Sequence, residues 1–214
     1  MSDSLWRWGG VLILSGGIVF WIGAFLPPYK QWMTSDVREY LSIIAANRIN
    51  WYVIHGCFLL GIILSLLGIQ ILSQALMSSP EAGTLFPNLG MTLYVFATTF
   101  WILNIAFRLT VTMWAAERLA GTNELYDSFK TWMDWSNVIF ALYMILAYAG
   151  IGFIGLSLRT VSWMPGWVSL FAVIFGFVGT VAYVIRFPLF APPLMVHLPL
   201  MVVGLFVLLR MKTG

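Results

Sequence analysis

The chain has 214 residues, of which 61% are hydrophobic and 9% charged, and its formal net charge is +3. A soluble domain carries roughly 25% charged residues to cover its surface, so this composition excludes one and reads as an all-α, polytopic membrane protein. No run of Lys or Arg forms the basic stripe that nucleic-acid binding requires, and the single cysteine, Cys57, excludes an internal disulfide.

A bilayer core of about 30 Å is crossed by about 20 apolar residues, and windows of that length predict six spans. The first covers 5–26. Its start resembles a signal peptide, yet no small-x-small cleavage site precedes Pro27 and Pro28, so the segment is expected to be retained. The connection 29–50 sets Val37, Tyr40, Leu41, Ile44 and Ala45 at helical spacing against Asp36, Arg38 and Glu39. That pattern predicts a short amphipathic helix lying on the membrane surface.

The second span, 51–76, carries Cys57, Gly61, Ser65 and Gly68 on one small-residue face suited to close helix contact, and Cys57 reads as a packing residue there. The third covers 89–109, extends past the bilayer to Ala120 and ends at Gly121, after which 123–132 reads as another surface helix. The remaining spans are 135–158, 165–185 and 193–210, with Pro165 and Pro193 in first turns that need no N–H. Trp6, Trp8, Trp51, Trp135, Trp163 and Trp167 fall at span edges, where indoles meet the headgroup layer.

The two long connections follow odd-numbered spans and so share one side of the membrane, here side A. It carries Lys30, Arg38, Arg48, Arg108, Arg118, Lys130 and Arg186, against Arg7, Arg159, Arg210 and Lys212 opposite. The positive-inside rule places side A in the cytoplasm, whereas an even number of spans favours both chain ends inside, so the two criteria oppose each other. Asn50-Trp51 and Asp134-Trp135 each open a span, and Gly68 and Gly152 match at the same offset, which suggests a two-helix unit used twice.

Ionisable and strongly polar groups at membrane depth are costly and therefore informative. His55, Asn104, Arg108, Asp134, Asn137 and His197 all fall in the side A leaflet, and only Gln70 lies deeper. Ala97, Trp101, Asn104 and Arg108 form one helical stripe, as do Asn137, Ala141, Met144 and Tyr148, and Arg108 is a candidate partner for Asp134. Pro199 frees the carbonyl of Met195 beside His197.

Three functions fit these residues. The leading one is a non-catalytic accessory or structural subunit of a membrane complex, packed against partner subunits or other copies of itself through its Gly-rich and aromatic faces. In the second, His55 and/or His197 bind a pigment, either together as axial ligands of a haem or each as the single ligand of a chlorophyll-type pigment. The third is a small-solute transporter or membrane-embedded enzyme with a polar pocket around Arg108. No catalytic or metal motif stands in the sequence, and Lys30, Lys130 and Lys212 lie outside the spans, which excludes a buried Schiff base. The segment from Ile43 to Arg48, followed by Trp51 and His55-Gly56, resembles a stretch of small multi-pass bacterial membrane proteins of uncharacterised function. The resemblance implies an integral protein of a bacterial-type cytoplasmic membrane and no particular activity.

Overall fold

In the computed structural model, residues 2–28, 34–79, 83–125 and 127–210 are described; Lys30 and Lys212 lie outside them. The helices are α1 (Ser2–Phe25), α2 (Val37–Ala46), α3 (Arg48–Met77), α4 (Leu85–Phe107), α5 (Met113–Thr122), α6 (Phe129–Leu158), α7 (Gly166–Val184) and α8 (Leu194–Arg210). The fold is all-α. Five helical segments are long and apolar enough to cross a membrane, and α8, at 17 residues, is a shorter apolar helix. The chain is thus a multi-pass membrane protein by the length and composition of its helices.

Small residues set the packing. Gly9, Gly16 and Gly23 recur every seven residues along α1 and lie against α3, so that a Cβ on Gly16 would stand 2.6 Å from the backbone nitrogen of Ser65 and 2.7 Å from the carbonyl of Gly61. Cys57, Gly61, Ser65 and Gly68 are the face of α3 that receives α1. A second row on α1, Gly10 and Gly17, meets Val207, Gly204 and Met201 of α8. Helix α1 is therefore clamped between α3 and α8. On the other side of the bundle Gly90 meets Gly150 between α4 and α6, and Gly176 lies against Gly152 between α6 and α7. Close backbone approach of this kind maximises dispersion contact where no hydrophobic effect separates helix from lipid.

A long helix, a short one and a 30-residue helix follow one another as α1–α2–α3 and as α4–α5–α6. The matched residues are not equivalent in packing. Gly68 abuts α1 whereas Gly152 abuts Phe177 of α7, and Trp51 is buried whereas Trp135 is exposed.

The short helices differ from expectation. Helix α2 is the short amphipathic helix expected in the first connection, capped by the Asp36 carboxylate on the Glu39 N–H at 2.9 Å, but its apolar face is covered by protein. It buries Leu41 and Ile44 against Met113, Ala116 and Leu119 of α5, and the ion pair between Arg48 and Glu117 closes the same layer. The reason is the continuity of the segment 85–122, whose 38 residues reach about 57 Å and so carry an apolar face well beyond the bilayer core. α5 runs past Gly121 and stops at Asn123, which takes the left-handed conformation (φ 58°) that asparagine tolerates. The separate helix expected over 123–132 is absent, because α6 starts at Phe129 and runs unbroken to Leu158. Trp6 and Trp51 are likewise core residues. The ring of Trp6 packs edge-on against Trp163 at 4.9 Å, and Trp51 sits beneath the α2–α5 cap.

Candidate functional site

At Arg108 the helix that began as α4 widens into one π-helical turn, Arg108–Thr112, before continuing as α5. A π turn inserts a residue and leaves backbone carbonyls out of register. The Arg108 carbonyl is met by the indole N–H of Trp51 at 3.1 Å. Trp51 in turn stacks on His55 (centroids 4.1 Å apart), and its own carbonyl lies 2.8 Å from His55 Nδ1. A carbonyl only accepts, so Nδ1 carries the proton.

The guanidinium is held from two directions. Nε donates to Asn104 Oδ1 at 2.8 Å and Nη1 to the Tyr40 hydroxyl at 2.9 Å. Asn104, fully buried, is itself oriented by α6, since its Nδ2 donates to both the carbonyl and the hydroxyl of Ser136 at 2.8 Å. Burial holds the Tyr40 phenol above its ordinary value of 10, and the positive charge of Arg108 offsets part of that rise. Tyr40 is thus a neutral donor and acceptor at physiological pH. Among the described residues no carboxylate pairs with Arg108; the ion pairs there are Arg48–Glu117 and Arg118–Glu124.

Two cavities meet at this point. The inner one, about 480 Å³, is walled by apolar groups from four helices and the 191–194 segment, among them Phe58, Trp101, Ile105, Phe140 and Leu194, and has Asn104, Arg108, Asn137 and His55 as its polar lining. That volume lies within the range of about 300–1,000 Å³ typical of small-ligand sites. The outer one, about 250 Å³, opens beneath α2 and is lined by Ser35, Asp36, Tyr40 and Ser136. Arg108 and Asn137 line both, and Asn104 lines the inner one. Beside the inner cavity the buried indole N–H of Trp101 has no acceptor among the described residues.

The sequence-predicted polar residues therefore divide. Asn104, Arg108, Asn137 and His55 share one cavity. Asp134 is exposed and does not pair with Arg108, whose partners are Asn104 and Tyr40, neutral groups that approach from α4 itself and from the cap. His197 is fully buried and lines neither cavity; its Nδ1 lies 3.4 Å from the Ser65 hydroxyl. Tyr40, Ser136 and Trp51 complete the site and have no signature of their own in the sequence. Tyr40 looked like one apolar position of an amphipathic helix, and Trp51 like an interfacial anchor.

A haem gripped by two imidazoles needs one open planar slot between them. Here the Phe20 ring stands 4.1 Å from His197 and 4.6 Å from the Phe58 ring, which lies 5.7 Å from His55. The two phenyl rings fill the space between the histidines, and these residues do not fit a haem held by the pair. No protein-family model, curated protein or solved structure matches the chain.

Proposed function

We propose that the chain is a six-helix multi-pass membrane protein that binds a small amphipathic molecule in the inner cavity at Arg108. Support for the sixth crossing comes from α8, which extends about 26 Å and packs along α1, with Arg7 and Arg210 lining one cleft at the far end of the bundle. The observation that carries the binding reading is a partly buried cation, fixed by neutral partners, at the junction of a membrane-depth apolar cavity and an outer vestibule. A guanidinium at membrane depth costs several kcal/mol, and its place at the junction of two cavities favours binding over packing alone. Binding would serve a carrier or a sensor equally well.

The test is photolabelling in lipid nanodiscs with an uncharged long-chain alcohol bearing a diazirine in its chain. Cross-links are expected on Phe58, Trp101 and Phe140, and filling the cavity by Ala24→Trp should remove them. Labelling confined to the lipid-facing side of α7 would overturn the reading.

A further inference from the structure

We infer that the ligand of the inner cavity is an oxyanion-headed amphiphile with a single apolar chain, its carboxylate or phosphate held by Arg108; this rests on the binding reading above. The charge balance points to an anion. Among the described residues the inner cavity has a guanidinium in its lining and no acidic side chain, and the outer cavity has one carboxylate, Asp36, which is engaged in capping α2 through the Glu39 N–H. A half-buried guanidinium whose neighbours are an amide and a phenol attracts a counter-ion in a medium of low dielectric constant.

The donor geometry points the same way. Of the guanidinium N–H groups, Nε is committed to Asn104 and one Nη1 hydrogen to Tyr40, which leaves both Nη2 hydrogens and the second Nη1 hydrogen. Among the described residues these hydrogens have no acceptor, and guanidinium donors of this kind are the ones that meet the oxygens of a carboxylate or phosphate. Asn137 stands in the same lining and adds an amide donor, while the Asn104 amide, already spent on Ser136, keeps the fork from rotating.

The remaining wall fixes the other half of the ligand. Phe58, Trp101, Ile105 and Phe140 present hydrocarbon and ring faces, and a cavity of about 480 Å³ accommodates one chain rather than the paired chains of a diacyl lipid. The outer cavity, which shares Arg108 and Asn137 with the inner one, gives the headgroup a polar approach from side A. A fatty acid and a single-chain phosphate ester present the same chemistry.

Three matched diazirine probes distinguish the outcomes in nanodiscs: a long-chain carboxylate, the corresponding alkyl phosphate and the corresponding alcohol. At equal concentration one or both anions should label Phe58, Trp101 and Phe140 at least about ten-fold more than the alcohol, the effect of one charge-assisted hydrogen bond. Arg108→Gln should reduce anion labelling to the alcohol level. Arg108→Lys, which keeps the charge, should retain part of the preference and guards against a folding defect in the Gln variant. Preference for one anion over the other identifies the headgroup. Equal labelling of the cavity by all three probes would overturn the oxyanion inference and leave the binding reading standing, whereas no cavity labelling by any probe would overturn both.

Discussion

The indole of Trp51 donates to the carbonyl of Arg108 across 3.1 Å, so the residue near the start of α3 fixes the point at which α4 widens into a π turn. This bond joins the membrane bundle to the α2–α5 cap and holds the guanidinium at its depth. Trp51→Phe keeps an aromatic ring over His55 but removes the donor. The expected loss is about 1 kcal/mol, the net worth of one such hydrogen bond, measured by unfolding in mixed micelles. An unchanged unfolding free energy would mean that the π turn is held by something else.

The glycines of α1 offer a test that is independent of the site. A Cβ at Gly16 would stand 2.5 Å from Ser65 Oγ and 2.6 Å from Ser65 N, and the latter is backbone that cannot rotate away. Gly16→Ala must therefore push α1 off α3 and is expected to cost about 1–3 kcal/mol. At Gly56, in the same bundle, no atom lies within 4 Å of the added methyl, and Gly56→Ala should be neutral or stabilise by up to about 1 kcal/mol. Thermal unfolding of the two variants side by side checks the contrast.

How far the sequence reveals the fold follows from the physics of each element. Apolar length marks the bundle, and the small-residue face on α3 marks the seat of α1, because close helix contact leaves a periodic trace. The cap leaves no such trace. An amphipathic helix reads the same whether its apolar face meets lipid or Met113 and Leu119, so its pattern alone does not separate an interfacial α2 from one packed on α5. The site was partly visible, since Asn104 and Arg108 are costly at depth wherever they point. Their partners are not: Tyr40 comes from 68 residues away, and Ser136 accepts in part through its backbone carbonyl, which any residue supplies. Depth alone likewise does not reveal that Phe20 and Phe58 stand between His55 and His197.

Tyr40 gives the cap a pH dependence. Its phenol is raised above the ordinary value of 10 by burial, so the folded state binds the proton more tightly than the unfolded chain does. The stability it contributes is complete below about pH 10 and is lost as the pH rises through the raised value. Above about pH 10 the wild type should lose thermal stability more steeply than Tyr40→Phe, which has no phenol to ionise. Parallel curves for the two proteins would show that Tyr40 is open to water.

The proposed sixth crossing would put both chain ends on one side of the membrane. With α8 spanning, residues 4 and 210 lie on the same side of the membrane, in keeping with the cleft that Ser4, Arg7 and Arg210 line together. In a Cys57→Ser background, Ser4→Cys and Arg210→Cys should react alike with a membrane-impermeant maleimide in oriented vesicles. Opposite responses would mean that α8 does not cross.

The most direct measurement of the central claim uses Asn137, which is exposed and lines both cavities. In the Cys57→Ser background, Asn137→Cys is modified by a water-soluble thiol reagent with and without a long-chain carboxylate. Occupation of the inner cavity predicts modification slowed about ten-fold at a carboxylate concentration of about ten times its Kd, with the protection lost on adding Arg108→Gln. Equal rates at every carboxylate concentration would contradict the account.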